Sequence, residues 1–259
     1  MSAKPTLILI HGAWHTPTCW NKYVVPQLEA QGYKCVAEQI LFSNTVEPLP
    51  SIKHAIEQVQ GLIEAEVSQG RDVVVINHSF GGSVGQSAVN GYTSKNLSKL
   101  KEGWGKVIGI CYVCAFMPPA ETSLIDVLPP RDTLFHTPTP GGWEEITRKD
   151  PRDLFYHDCS KEDQDLMVSE LKNLSTACLE GEPGRNGVYE GFMDVPVWYL
   201  FCTLDGAIVI QAQEMMVAAA KEKGASVTTR TLESSHSPFI SKPKETAEFI
   251  LDAAMAFQA

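Results

Sequence analysis

The sequence has no hydrophobic run long enough to cross a membrane, and it carries little positive charge. The apolar run at residues 7–10 is also shorter than the hydrophobic part of a secretory signal peptide. Lys and Arg total 21 against 31 Asp and Glu, which gives a formal net charge of -10 at pH 7. Nucleic acids and anionic membranes are themselves negative, so this charge disfavours both as partners. We therefore expect a cytoplasmic protein with no nucleic-acid or membrane partner.

The chain has an odd number of cysteines. The chain has seven at irregular spacing, which indicates free thiols in a reducing compartment rather than a disulfide framework. Cys111 and Cys114 form a C-x-x-C inside a predicted strand, where this spacing directs the two side chains to opposite faces. Residues 81–85 are rich in glycine but lack the spacing and the acidic partner of a dinucleotide-binding loop. We expect no metal and no cofactor.

A short stretch at residues 73–81 organises the rest of the chain. Residues 73–76 are four β-branched residues without alternation, which is typical of a strand buried on both faces in a parallel sheet. Ser79 then stands on a sharp turn before Gly81, in the pattern of a nucleophile elbow. Asn77 replaces the first glycine of that pattern, and we expect it to be tolerated because asparagine accepts positive φ angles. The alternative is a serine at an ordinary strand-to-loop corner.

A second turn near the N-terminus complements the elbow. The predicted strand at residues 6–10 runs into His11 and Gly12. In the α/β-hydrolase plan, a backbone N–H from this loop joins the N–H of the residue after the nucleophile to form an oxyanion hole. Those donors would be Ala13 and Phe80. The loss of one such donor typically raises the barrier by about 3 to 4 kcal/mol.

Strands and helices alternate along the chain, which predicts a mostly parallel, doubly wound α/β sheet of about six strands. The predicted strands cover residues 6–10, 34–39, 73–76, 106–116, 197–202 and 227–232. The predicted helices cover residues 20–30, 52–67, 211–223 and 244–257, with a further helix after the elbow. In the third of these, we expect Met215 and Met216 to face the sheet.

The interval between the fourth and fifth strands is too long for a plain crossover connection. We therefore predict that residues 1–116 and 195–259 form one core, and that residues 117–194 form an inserted, mainly helical cap with helices near 143–148 and 161–174. Several aromatic side chains of the cap, Trp143 among them, are candidates to line an apolar substrate pocket. The alternative is that they form the small core of the cap itself.

Three side chains follow predicted strand ends in the order Ser79, Asp205, His236. This is the order of the α/β-hydrolase triad. The imidazole of His236 would take the proton of Ser79, and Asp205 would hold the imidazole tautomer. Three other acids remain open as alternatives to Asp205: Asp126, Glu121 and Glu233. Besides Trp143, the candidate substrate-binding residues are Gly12, His15 and His78.

The chain resembles the α/β-hydrolase superfamily, and within it the small-capped group of plant methylesterases and hydroxynitrile lyases with their fungal and bacterial relatives. The resemblance rests on Leu-Ile-His-Gly-Ala-Trp at 9–14, His-Ser-Phe-Gly-Gly at 78–82, Asp205, and His236 followed by Ser-Lys-Pro-Lys-Glu at 241–245. It covers both ends of the chain, and it matches the cap only in position and size.

The resemblance implies a serine esterase more than a lyase. Lyases of this group carry a threonine where Gly12 stands and a lysine where Ser237 stands. The leading hypothesis is hydrolysis of a small carboxylic ester or lactone through an acyl-enzyme on Ser79. The alternatives are a C–C lyase of the hydroxynitrile-lyase or retro-aldol type that uses the same triad, and a ligand-binding receptor on the same fold.

Overall fold

A computed structural model describes residues 3–181 and 188–259, which contain one six-stranded sheet and a separate two-stranded hairpin. The strands are β1 (Thr6–Ile10), β2 (Cys35–Val36), β3 (Val73–His78), β4 (Val107–Val113), β5 (His136–Pro138), β6 (Glu144–Ile146), β7 (Val197–Cys202) and β8 (Val227–Leu232). The helices are α1 (Thr18–Asn21), α2 (Val25–Ala30), α3 (Lys53–Val67), α4 (Gly81–Ala88), α5 (Leu124–Val127), α6 (Pro151–Phe155), α7 (Lys161–Ser169), α8 (Thr176–Glu180), α9 (Ile210–Glu222), α10 (Pro238–Ser241) and α11 (Pro243–Ala256). Short 3-10 turns cover Arg131–Thr133 and Gly191–Met193.

The main sheet has the strand order β2-β1-β3-β4-β7-β8, and all neighbours in it are parallel. Every residue of β1 and β3 is buried, because these unalternating apolar strands are covered on both faces. The predicted fold class is therefore confirmed. Since all six strands run the same way, their carboxyl ends meet at one edge of the sheet, where an open α/β sheet places its functional groups.

Three elements of the core differ from their predicted bounds or orientation. The helix expected at residues 20–30 is two helices, α1 and α2, and Pro26 stands in the first turn of α2, where a proline starts a helix more readily than it continues one. The strand expected at residues 34–39 shortens to β2 at the edge of the sheet. In α9 the buried residues include Gln213 and Val217. The expectation for Met215 was wrong, because it is exposed, whereas Met216 is half-buried and packs against the core.

The segment between β4 and β7 contains a hairpin where a helix near 143–148 was expected. β5 and β6 pair antiparallel, with His136 opposite Ile146 and Pro138 opposite Glu144. Gly142, with φ 78°, forms the turn that joins them. Cross-strand pairing and burial of Glu144 outweigh the helical tendency of this stretch. The rest of the segment is mainly short helices, α5 to α8, and its residues 182–187 lie outside the described part of the chain.

Two further expectations concern thiols and membranes. All seven cysteines are free thiols, as the irregular spacing predicted. Across residues 3–181 and 188–259, no helix combines the length and the apolar character needed to span a membrane.

Candidate active site

Ser79 lies on the turn between β3 and α4 with a φ of 52°, in the left-handed region that side-chain-bearing residues rarely adopt. Its carbonyl accepts hydrogen bonds from the amides of Gly82 and Phe116, both at 3.0 Å, which hold the strained turn in place. Ser79 is 8% exposed and lines a large cavity. The turn therefore presents its hydroxyl at the carboxyl edge of the sheet.

Close packing behind the turn explains why glycine is required at positions 81 and 85. A Cβ added at Gly81 would lie 2.6 Å from the carbonyl oxygen of His11, and one added at Gly85 would lie 1.9 Å from Oδ1 of Asn77. Asn77 is a buried residue of β3 paired with Ile10, and it has no positive φ. The expectation that asparagine serves here through positive φ was wrong, since Asn77 fits because Gly85 leaves space for its side chain.

Substitution at Gly81 tests this packing. We expect Gly81→Ala to lower the free energy of unfolding by about 2 kcal/mol or more, because the new methyl group meets backbone that cannot move away. Gly61→Ala is a matched control on α3, where an added Cβ has no neighbour within 4 Å among the described residues. It is expected to raise stability by about 0.5 to 1 kcal/mol. Equal effects of the two substitutions in urea unfolding would contradict this account of the elbow.

His236 and Asp205 lie together behind the same cavity. Nδ1 of His236 donates to Oδ2 of Asp205 at 2.7 Å. Oδ1 of Asp205 accepts the amides of Ala207 and Ile208, each at 2.8 Å, and Nε2 of Gln213 donates to Oδ2 at 3.3 Å. These bonds fix the carboxylate, which in turn fixes the proton of the imidazole on Nδ1. His236 lines the cavity with Ser79, and its Nε2 is left able to accept a proton.

His78 directly precedes Ser79, is fully buried and contacts His236. Its Nε2 donates to the carbonyl of His236 at 2.9 Å, and the two rings have centroids 4.6 Å apart. Burial lowers the pKa of His78 well below its ordinary value, so the ring is neutral. Gly12 is equally close, since an added Cβ would lie 2.8 Å from Cβ of Ser79 and 2.9 Å from Nδ1 of His78. Neither Gly12 nor His78 lines the cavity, so both support Ser79 from behind.

One cluster near this site has the residue types of a metal centre. Ligand atoms of His78, Cys114 and His236 lie within 4.8 Å of one another. However, Sγ of Cys114 and Nε2 of His78 both donate to the carbonyl of His236, and Nδ1 of His236 donates to Asp205. Burial also raises the pKa of the Cys114 thiol well above its ordinary value, so the thiolate form that binds metals is disfavoured. This donor set does not fit a metal.

Two backbone amides at the carboxyl edge of the sheet, those of Ala13 and Phe80, are free of protein acceptors among the described residues. The carbonyl of Gly12 accepts Nδ1 of His11 at 2.9 Å and the amide of His15 at 3.3 Å. Because C=O and N–H point in opposite directions across a trans peptide, these bonds turn the Ala13 N–H away from them. Within the described residues, neither this N–H nor that of Phe80 has a protein acceptor, and both residues line the cavity.

The two histidines of this loop are held in defined neutral tautomers. The amide of Ile40 donates to Nε2 of His11 at 3.0 Å, so the His11 proton is on Nδ1. His15 lines the cavity, and its Nδ1 donates to the carbonyl of Ala13 at 2.7 Å while the hydroxyl of Tyr156 donates to Nε2 at 2.8 Å. Burial lowers the pKa of His11 to about 4 and that of His15 to about 3.

These lowered pKa values predict a stability loss in acid. In the unfolded chain both histidines titrate near 6.5, so between pH 6.5 and pH 4 the unfolded state binds more protons than the folded state. Their contribution is complete above pH 6.5 and is lost as the pH falls, with a slope of up to about 1.4 kcal/mol per pH unit for each ring. Urea unfolding across this range should show a shallower slope for His15→Gln. The exposed His54→Gln controls for loss of a histidine as such, and an unchanged slope in His15→Gln would contradict a neutral, buried ring.

The cavity in front of Ser79 has a volume of about 770 Å³ and a mainly apolar wall. This volume is within the usual range for sites that bind small organic molecules. Three aromatic residues of the interval 117–194, Phe135, Phe155 and Phe192, line it, and Met215 and Met216 line it from α9. The structure does not bring Trp143 to this wall. Its backbone instead forms a bridge with Ser175.

Sequence reasoning missed Asp158, which connects the segment between β4 and β7 to the loop of His236. Its Oδ2 accepts the amide of Ser235 at 2.9 Å, and the Ser235 hydroxyl donates to the carbonyl of Phe155 at 3.0 Å. Burial acts to raise the pKa of Asp158, but hydrogen bonds from Ser235 outweigh it and the pKa is lowered. Nothing local in the sequence marks this residue, since the contact spans 77 positions.

The parallel sheet, the elbow at Ser79 and the strand-end placement of Asp205 and His236 define an α/β hydrolase. The chain belongs to the alpha/beta hydrolase family, whose sequence model matches residues 7–249. An alpha/beta hydrolase called nvfD from Aspergillus novofumigatus is 26% identical over 97% of each chain. Methylesterase 2 of Arabidopsis thaliana is 25% identical over 98% of this chain and 97% of its own length.

A solved structure has the same fold. A pyrethroid hydrolase from Sphingobium faniae JZ-2 superposes with a TM-score of 0.76 at 23% identity, over 97% of this chain and 98% of that one. The family and the methylesterase-like group expected from the sequence are thereby confirmed. Hydrolases and esterases are among the relatives of the chain.

Proposed function

We propose that the protein is a serine hydrolase that cleaves a small carboxylic ester or a lactone. The observation that carries this proposal is the shared cavity wall formed by Ser79, His236, Ala13 and Phe80, with Asp205 hydrogen-bonded to His236 at 2.7 Å. A hydroxyl, a base with a free ring nitrogen and two unpaired amides are the groups that acyl transfer needs. The methylesterase relatives support the same chemistry.

In the proposed reaction, Nε2 of His236 takes the proton of Ser79 as the hydroxyl oxygen attacks the ester carbonyl. Amides of Ala13 and Phe80 stabilise the negative oxygen of the tetrahedral intermediate. Asp205 keeps the imidazole proton on Nδ1 and stabilises the imidazolium that forms. His236 then protonates the departing alkoxide, and an activated water releases the acid and regenerates Ser79.

Lyase chemistry of the related group fits this site less well. A side chain at position 12 would begin 2.8 Å from Cβ of Ser79, which leaves no room for the threonine of those lyases without movement. Ser237 supplies no positive charge beside His236, and it is fully buried. We therefore favour hydrolysis over C–C cleavage, and we place the ligand-binding receptor last because all three members of the proposed triad are present.

The proposal also covers the role of residues 117–194, the kind of substrate and the cellular location. Residues 117–194 are proposed to act as a cap, because cavity-lining residues such as Leu124, Phe135 and Phe192 come from that interval. The wall is apolar, so a small organic ester or lactone is the proposed partner. Cytoplasmic location is proposed from the negative net charge and the seven free thiols.

The test is pre-steady-state hydrolysis of p-nitrophenyl esters, compared with cleavage of an aromatic cyanohydrin. We expect a burst of p-nitrophenol proportional to enzyme, followed by slower turnover, because p-nitrophenolate is a good leaving group and acylation is then faster than hydrolysis of the acyl-enzyme. Cyanide release without ester turnover would favour the lyase. Tight binding of either compound with no turnover of either would favour the receptor.

A further inference from the structure

We propose that His136 is a second polar contact in the cavity and binds a hydroxyl group of the substrate, at a distance from the ester carbonyl. This inference deepens the proposed function and rests on it for the identity of the substrate as an ester or lactone. It assigns to the enzyme an apolar ester that carries a hydroxyl on its acyl or alcohol part.

The ring of His136 is fixed by a buried acid. His136 lies on β5, lines the cavity and is 3% exposed. Its Nδ1 donates to Oε1 of Glu144 on β6 at 2.6 Å. Glu144 is itself buried and receives the guanidinium of Arg131 at 2.6 Å on Oε1 and 3.3 Å on Oε2. These hydrogen bonds of Glu144 hold the imidazole in one orientation, as a carboxylate does for a catalytic or metal-bound histidine.

The other ring nitrogen is unused. Across residues 3–181 and 188–259, Nε2 of His136 has no hydrogen-bond partner. Because Nδ1 is directed at Glu144, Nε2 points to the opposite side of the ring, and His136 borders the cavity. A substrate hydroxyl would give this nitrogen a hydrogen-bond partner, whereas an apolar group in the same place would exclude water from it without replacing the bond.

The surrounding wall makes this contact selective. Rings of Trp14 and Phe135 lie 5.3 Å and 4.9 Å from the ring of His136, so the polar atom stands in an apolar setting. Trp14 follows Ala13 in the proposed oxyanion loop, and its Nε1 donates to the carbonyl of Glu144 at 2.8 Å. The pair His136 and Glu144 is therefore attached to the loop that would hold the reacting carbonyl.

Other polar groups of the wall do not compete for this role. His15 lines the cavity, but both of its ring nitrogens are occupied. Four more polar residues of the wall are exposed: Thr133, Arg148, Lys149 and Lys223. Glu190 is half-buried and forms an ion pair with Lys223. Among the described residues of the wall, His136 is therefore the buried side chain, besides Ser79 and His236, that has a polar atom free to bind a substrate group.

A hydroxyl is the group that fits Nε2 in either protonation state. It donates to the nitrogen of a neutral imidazole and accepts from the N–H of a protonated one. A carbonyl only accepts, and an ammonium only donates, so each would suit a single state. The hydroxyl also remains compatible with an otherwise apolar substrate.

The experiment compares methyl ω-hydroxyalkanoates, from pentanoate to decanoate, with esters of the same length in which a methyl group replaces the hydroxyl. Binding is measured calorimetrically with Ser79→Ala protein, in which the ester is not hydrolysed during the measurement. In parallel, kcat/KM is measured with protein that retains Ser79. We expect a preference of about tenfold for the hydroxy ester at one or two chain lengths, and its loss in His136→Phe. His136→Gln, which keeps a polar side chain, should restore part of the preference.

Thr137→Val is the control for disturbance of the hairpin, because it alters the next residue of β5. We expect it to leave the preference for the hydroxy ester unchanged. A purely structural role of His136 would lower kcat/KM for both ester series equally, with the ratio intact, and would overturn the proposal. No preference at any chain length, no binding of either series, or a preference that survives in His136→Phe would also overturn it. Selective binding that depends on His136, without hydrolysis, would support the subsite while refuting the proposed esterase.

Discussion

Replacing Ser79 with alanine is expected to lower kcat/KM for ester hydrolysis by about 10⁵-fold, because the proposed nucleophile is then absent and only binding and the oxyanion donors remain. The substitution removes one oxygen from a residue that is 8% exposed, so urea unfolding should change little. Steady-state hydrolysis of p-nitrophenyl butyrate measures the activity.

Ser83 offers a matched control for this experiment. It lies on α4, is buried, and its hydroxyl has no hydrogen-bond partner among the described residues. Ser83→Ala should therefore retain activity within about threefold and should not reduce stability, since an unpaired buried hydroxyl is removed. Equal losses in Ser79→Ala and Ser83→Ala would assign the effect to packing of α4 and not to a nucleophile.

Replacing Asp205 with asparagine is expected to lower kcat by about 10⁴-fold with little change in KM. Oδ1 of residue 205 accepts two backbone amides, those of Ala207 and Ile208, so the carbonyl oxygen of an asparagine must occupy that place. Its NH₂ group then faces Nδ1 of His236 and forces the imidazole proton onto Nε2. In that tautomer the ring cannot accept the proton of Ser79.

The competing acid Asp126 gives the control for this prediction. Oδ2 of Asp126 accepts the amide and the hydroxyl of Ser123 at the start of α5, and the bond from the Ser123 hydroxyl is the main reason that the pKa of Asp126 is lowered. Asp126→Asn should weaken this cap and leave kcat near its original value. A large loss of kcat in Asp126→Asn with little loss in Asp205→Asn would contradict the account and would identify Asp126 as the orienting acid.

Much of the core was predictable because its signals are local. Unalternating β-branched or apolar runs marked β1 and β3, and the bounds of β7 and β8 followed from apolar stretches between turn residues. Since parallel strands bring their carboxyl ends to one edge, residues at strand ends converge whatever their separation in sequence. This geometry explains why Asp205 and His236 were expected together, and in the structure a hydrogen bond joins them.

The segment between β4 and β7 was less predictable because its contacts are long-range. The pairing of β5 with β6 and the burial of Glu144 against His136 and Arg131 depend on chain folding that no periodicity reveals. Trp143 is aromatic, as many pocket residues are, but it lies off the cavity wall. His136 lines the cavity, but it was not predicted as a site residue because it follows no strand of the main sheet. Asn77 was misread for a similar reason, since its space is provided by Gly85 on a different element.

The most direct test of Ser79 as an activated nucleophile is intact-protein mass spectrometry after treatment with a serine-directed fluorophosphonate. We predict one covalent adduct on the unaltered protein, its absence in Ser79→Ala, and its retention in Ser83→Ala. An adduct that persists in Ser79→Ala, or an unaltered protein that remains unlabelled while it hydrolyses esters, would contradict the proposed mechanism.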